Sequence, residues 1–301
     1  MKKLAPIVLF VYNRPDHTKQ TVEALKKNVL SKDSELFIYS DAAKNENDYL
    51  NVEKVRKYIK TISGFKNITI IEKEINWGLA KSIIDGVSEV ISHFGKVIVL
   101  EDDMVTSPQF LEFLNDSLEM YSDNEEVGMI HGHIYNISDL PKLFFTYKAG
   151  CLGWGTWENR WKEISFNGKE LLKEISDKKL EKKFDVNGSY PYVNMLKGQI
   201  EGKNNSWAIR LYASFLLNEK LTLYPGKSLV QHIGFDIGTH CKGAVCASDS
   251  DGFITTERVI AEKIDIVDSK IAILKLEQFY NAQKKSFIVR VINKLKKMLL
   301  N

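Results

Sequence analysis

The chain has 301 residues, 44% of them hydrophobic, with 42 Lys and Arg against 39 Asp and Glu. That apolar content supports a real core, and a formal net charge of +3 is too small a field to argue for a nucleic-acid partner. Cys151, Cys241 and Cys246 fit neither a disulfide framework nor a CxxC zinc site, which points to a reducing compartment. The basic start leads into only six apolar residues, Ile7 to Tyr12, too few for a signal-peptide core. No run approaches the roughly 18 apolar residues of a membrane span, so the expected location is the cytoplasm.

In chain order, Ile7-Val8-Leu9-Phe10-Val11-Tyr12 predicts a first buried strand, and Leu36-Phe37-Ile38-Tyr39, Ile68-Thr69-Ile70-Ile71 and Val97-Ile98-Val99-Leu100 predict three more. Stretches of helical period over 16–30, 48–62 and 79–93 lie between them. This alternation over residues 5–132 predicts an α/β unit with a mostly parallel sheet. Open sheets of that kind bind ligands at the carboxyl ends of their strands, which here are Asn13-Arg14, Ser40-Asp41 and Glu101-Asp102-Asp103. Residues 140–260 are less periodic and carry Trp154, Trp157, Trp161 and Trp207. With no repeat, low-complexity segment or linker, one domain over 1–265 is expected, with a ligand-binding half over 1–135 and a substrate-shaping half over 136–265. A helical tail is expected over 266–301.

Glu101-Asp102-Asp103 puts three carboxylates directly after a buried strand, where water is partly excluded and like-charge repulsion is costly unless a cation binds. Hard oxygen ligands suit Mg²⁺ or Mn²⁺, which would bridge the phosphates of a nucleotide diphosphate and offset charge growing on the leaving group. The plainer reading is a solvated acidic strand end.

The order Pro6-Ile7-Val8, Tyr12-Asn13-Arg14-Pro15, Ser40-Asp41, Asn76-Trp77-Gly78-Leu79 and Glu101-Asp102-Asp103 resembles GT-A glycosyltransferases. More narrowly, it is similar to bacterial family-2-type sugar transferases, with an acidic triplet like that of the N-acetylglucosaminyltransferase I group. The resemblance covers about residues 5–245. It implies a Rossmann-like GT-A fold and a nucleotide-diphosphate-sugar donor, with Tyr12, Asn13 and Arg14 touching the nucleotide and Asp41 reading base or ribose. Asp41 also reads as a turn or cap residue. Asn76-Trp77-Gly78-Leu79-Ala80-Lys81 opens a helix, whose N-terminus favours anions, so Lys81 is a candidate diphosphate contact; Trp77 either joins the donor site or covers the sheet. By resemblance Asp103 binds the metal, while Asp102 and Glu101 contact sugar or ribose.

The stretch from Gly150 to Trp161 interleaves three Trp with three Gly and suits a carbohydrate wall, and the resemblance implies that Trp154 stands beside the donor sugar; core packing is the alternative. A later block, Asn205-Ser206-Trp207, Tyr224-Pro225-Gly226 and Gly234-Phe235-Asp236 to His240, also resembles the family, and His240 takes the position of a metal or diphosphate ligand. An inverting enzyme needs a base for the acceptor hydroxyl. Relatives carry an acid just before the Ser-Trp pair, where this chain has Asn205, an amide. Glu201 and Asp236 are therefore the leading candidates, with Glu158 behind them.

From 284 to 300, apolar residues recur at helical spacing among Lys284, Lys285, Arg290, Lys294, Lys296 and Lys297. This basic amphipathic helix fits an anionic membrane surface that would present a lipid-linked acceptor, or else packing on the domain or on a second subunit of a homodimer. The resemblance implies transfer from a nucleotide-diphosphate sugar to a glycan acceptor, and it alone implies a role in bacterial surface polysaccharide synthesis. A sugar nucleotidyltransferase would need a glycine-rich phosphate loop that Tyr12-Asn13-Arg14-Pro15 lacks, and a non-catalytic glycan-binding relative would fit Asn205.

Overall fold

The computed structural model describes residues 3–234 and 254–299, with side chains followed as far as residue 284. The four expected strands are present as β1 (Ile7–Val11), β2 (Glu35–Ser40), β3 (Asn67–Glu72) and β4 (Lys96–Glu101). They run parallel in the order β3-β2-β1-β4. Helices α1 (Pro15–Lys26), α2 (Glu46–Ile59) and α3 (Leu79–Phe94) connect them.

Strand β1 is apolar throughout because both its faces are covered. Ile7, Leu9 and Val11 pack with Val22 and Leu25 of α1 and Val55 and Ile59 of α2. Val8 and Phe10 point the other way, into Ile83, Val87 and Val90 of α3. Pro15 fits the first position of α1, where its missing N–H is no loss, and Gly95 ends α3 in the left-handed conformation at φ 77°. Helix α1 stops at Lys26, short of the expected 30. Just beyond, Asn28 bonds Ala24 O and Thr106 Oγ1 and accepts from Leu111 N, tying the chain to the next layer.

The second half extends the same sheet. β8 (Trp154–Trp157) lies antiparallel to β4, followed by β6 (Val127–His131), β9 (Leu221–Pro225) and β7 (Leu143–Thr146), giving eight strands in the order β3-β2-β1-β4-β8-β6-β9-β7. A separate antiparallel pair joins β5 (Met104–Thr106) to β10 (Val230–His232). Helix α4 (Phe110–Met120) packs with α1 and α2. Helices α5 (Glu158–Lys162), α6 (Gly168–Asp177), α7 (Glu181–Phe184), α8 (Tyr192–Ile200) and α9 (Trp207–Leu217) build the side that α3 begins.

The tail is a helix, as expected, but it starts at Lys270 and forms α10 (Lys270–Leu299). Its first turns are docked through Ala272, Ile273, Leu276 and Tyr280, while Ile271 and Leu274 are exposed. Most of the basic run after 284 lies outside the described side chains. Among the described residues, no helix is long and apolar enough to cross a membrane.

Candidate functional site

The chain leaves β1 toward β2 on one side and reaches β4 on the other, so the topological switch point lies between the carboxyl ends of β1 and β4. Arg14, just past β1, meets the acidic turn past β4 there. Its guanidinium pairs with Asp102 Oδ1 through Nη2 and with Asp103 Oδ2 through Nη1, the latter at 2.7 Å. His232, at the end of β10, places Nε2 3.1 Å from the same Asp103 oxygen.

The turn is held from several directions. Buried Thr21 of α1 donates to Asp102 O at 2.9 Å and accepts from Met104 N, and Ile233 N donates to Asp103 O. Gly234 passes so close that a Cβ there would stand 2.2 Å from Asp103 Oδ2 and 2.9 Å from His232 Nε2, so only glycine fits without moving the site.

Charge is unevenly shared. Burial would raise Asp103, but its hydrogen bond from His232 and the Arg14 guanidinium outweigh that and hold it down at about 2. Burial keeps Asp102 above the usual carboxylate range despite Arg14. Glu101 is pushed up to about 8 by burial and by the charges of Asp103 and Asp102. The turn thus holds more acid than its surroundings keep ionised.

Among the described residues, no three His, Cys, Asp or Glu side chains converge as a ready-made metal site. The donor chemistry nevertheless fits a divalent ion: the Asp103 carboxylate and the His232 imidazole share one point, with the destabilised Glu101 close by.

On the β1–β2 side, the Tyr12 hydroxyl and the Asn13 amide both donate to Asp48 of α2, at 3.0 and 2.6 Å. Tyr12 N faces Asp102 Oδ2 at 3.4 Å. Asp41 accepts from Ala42 N and Trp77 N on Oδ1 and from Gly78 N on Oδ2, so its carboxylate staples the entry to α3. The Trp77 ring lies between Lys73 Nζ at 3.8 Å and Lys81 Nζ at 4.2 Å, and Lys81 also pairs with Asp85.

Two expected residues lie elsewhere. Trp154 is 1% exposed and stacks on Trp161 and Trp207, so it has no open face for a sugar; Trp157 and Trp161 are buried as well. The cause is strand geometry: successive residues of β8 point to opposite faces of a sheet covered on both sides. Glu158 follows Trp157, which pairs with Lys96 at the amino end of β4, and it sits at the opposite edge from the acidic turn, paired with Lys162.

Glu201 is exposed at the end of α8 and pairs with Lys203. Asp236 and His240 lie outside the described residues. The sequence reading passed over His232, Thr21 and Asp48. The signal available for His232 was its place two residues past the apolar pair Leu229-Val230, at the end of a short strand.

Residues 7–169, more than half of the chain, match glycosyl transferase family 2, and the chain belongs to that family. No curated protein sequence matches it. Similarity to solved structures is distant. The mannosyltransferase PcManGT from Pyrobaculum calidifontis in complex with GDP-Man and Mn²⁺ is 13% identical, with a TM-score of 0.37 over 58% of this chain and 50% of that one. S. aureus TarS 1-349 is 11% identical, with a TM-score of 0.40 over 75% and 59%. The chain therefore spans only half to three-fifths of their length.

Proposed function

We propose that the protein is a metal-dependent, inverting glycosyltransferase that moves a hexosyl or N-acetylhexosaminyl group from a nucleotide-diphosphate sugar to a glycan or lipid-linked glycan. The observation that carries this reading is the meeting of Arg14 with Asp102, Asp103 and His232 at the switch point of the sheet, where such folds take their ligands. Tyr12, Asn13 and Arg14 line the nucleotide side, and Glu101 and Asp102 face the sugar or ribose. Asp103, with His232 or His240, holds Mn²⁺ or Mg²⁺. When bound, the ion supplies positive charge against that growing on the departing diphosphate.

In the transfer, the acceptor oxygen bonds to the anomeric carbon as the carbon–phosphate-oxygen bond breaks, its electron pair leaving on the nucleotide diphosphate. The hydroxyl proton passes to a carboxylate. Asp236 is the preferred base, since Glu158 lies at the far edge and Glu201 is committed to Lys203 at the surface. The similarity of the acidic triplet to that of the N-acetylglucosaminyltransferase I group, read from its sequence, belongs to the same proposal. One catalytic unit over 1–265 followed by a tail that rests on the inner face of a bacterial plasma membrane suits surface polysaccharide synthesis.

Calorimetry with UDP, GDP and CDP, with and without Mn²⁺, tests the reading. Metal-dependent binding of one nucleotide is expected; no binding of any would leave a glycan-binding protein without transferase activity.

A further inference from the structure

A cavity of about 180 Å³ opens beyond the acidic turn, more than ten times the roughly 10–15 Å³ that one water requires. It lies at the ends of β6 and β9, on the side of β4 away from the nucleotide residues, and its walls include His131, Lys148, Cys151, Tyr192, Tyr212 and Tyr224. Cys151 ties it to the candidate site, because its thiol feels the charges of Glu101 and Asp103 as well as that of Lys148.

The cavity is lopsided in charge. Lys148 and two histidines line it, and none of its lining residues is acidic. The Lys148 main chain is pinned, its carbonyl accepting from the Tyr224 hydroxyl at 3.1 Å and its N–H donating to Thr146 Oγ1. Its ammonium stands 5.8 Å from the Tyr192 ring centre, and it adds to the burial and the His133 charge that hold the nearby His131 well below its ordinary value. Among the described residues, no carboxylate forms an ion pair with Lys148. Burial of the amine pushes it down to about 8, while the residue as a whole is half-buried. A desolvated charge with no carboxylate beside it among the described residues is costly to keep, and an anion entering the cavity would relieve it.

We propose that this cavity is the acceptor subsite and that it takes an anionic sugar, one bearing a carboxylate or a phosphate, with Lys148 as the counter-charge and the tyrosine rings as the surface for the pyranose. The inference rests on the glycosyltransferase reading for its role and adds a substrate class to it. A neutral glycan would leave the ammonium unmatched, whereas a sugar acid or sugar phosphate forms a charge-assisted hydrogen bond inside a partly dry site.

The test is a ligand-observed NMR titration of the full chain with glucose, glucuronate, glucose 6-phosphate and inorganic phosphate, alongside the nucleotide diphosphates. Wild type should bind glucuronate or glucose 6-phosphate at least roughly tenfold more tightly than glucose, the factor of a modest charge-assisted bond. Which of the two wins identifies the carboxylate or the phosphate as the source. The preference should vanish in Lys148→Met and survive in Lys148→Arg.

Equal binding of the sugars, no binding of any, a preference that persists in Lys148→Met, or inorganic phosphate binding as well as glucose 6-phosphate would each overturn the proposal. So would a lower thermal midpoint for Lys148→Met, since that would reveal a protein carboxylate left unpaired, whereas loss of an unmatched charge leaves the fold at least as stable. If a nucleotide diphosphate binds while the anion preference is absent, this inference fails alone. If no nucleotide diphosphate binds, it is the donor reading that fails.

Discussion

The carboxyl edge of strands β1 to β4 and the neighbouring strand β8 belong to one sheet, yet they use their conspicuous residues in opposite ways. At the carboxyl edge, Arg14, Asp102 and Asp103 emerge from buried strands and face one another. In β8, Trp154 and Trp157 are consumed by the core on either face. A strand in the middle of a covered sheet has only its ends to offer to chemistry, however suggestive its side chains are. Substitutions in the two regions should therefore separate stability from binding.

The largest effect belongs to the core. Trp154→Ala removes a ring that stacks at 5.8 Å on Trp161 and 5.6 Å on Trp207. It should lower the unfolding free energy by about 3–5 kcal/mol, read from denaturant midpoints at constant slope. A well-folded Trp154→Ala protein that loses only sugar binding would restore the carbohydrate-wall reading and erase the contrast.

At the edge the pattern should invert. Asp103→Ala should weaken metal-dependent nucleotide-diphosphate binding by about 10²-fold, as calorimetry with and without Mn²⁺ would record, with a smaller loss of stability than Trp154→Ala because Arg14 keeps Asp102. Asp236→Asn should cut kcat by about 10²-fold with donor binding retained, the signature of a missing base rather than a missing ligand. Unchanged nucleotide affinity in Asp103→Ala would remove the metal assignment, and unchanged kcat in Asp236→Asn would send the search for the base elsewhere.

These contrasts trace how far residue order could be read. The four parallel strands were legible because a strand covered on both faces must be apolar throughout, and Ile7 to Val11 and Val97 to Leu100 announce that directly. The acidic turn was legible for the same reason, as charge placed straight after such a run. His232 was not, because its partner Asp103 lies 129 residues earlier and only the pairing of β10 with β5 brings them together. The tryptophans misled because composition counts rings without saying which side of a sheet they face. Asp41 offered two readings, and the structure gives its carboxylate to three backbone N–H groups.

A smaller effect follows from that staple. Asp41→Ala would leave Trp77 N and Gly78 N without their acceptor at the start of α3. The expected loss is about 1–3 kcal/mol of stability, with faster hydrogen exchange confined to residues 76–79. Exchange spreading across β1 and β4 would mean that the staple supports the whole edge and not one loop.

The smallest effect is the one that isolates the edge most cleanly. Glu158 and Asp103 flank the same strand β4, one beyond each end, and both are acids that sequence proximity to a motif had nominated. Glu158 pairs with Lys162 one helical turn away at 2.7 Å, on a five-residue helix at the surface. An exposed pair of that kind is worth about 0–1 kcal/mol, so Glu158→Gln should stay within that range in stability. Its transfer rate should match wild type, measured side by side with Asp236→Asn. The outcome that would break the comparison is a large fall in kcat for Glu158→Gln with unchanged stability, because the length of β4 separates Glu158 from the acidic turn at its other end.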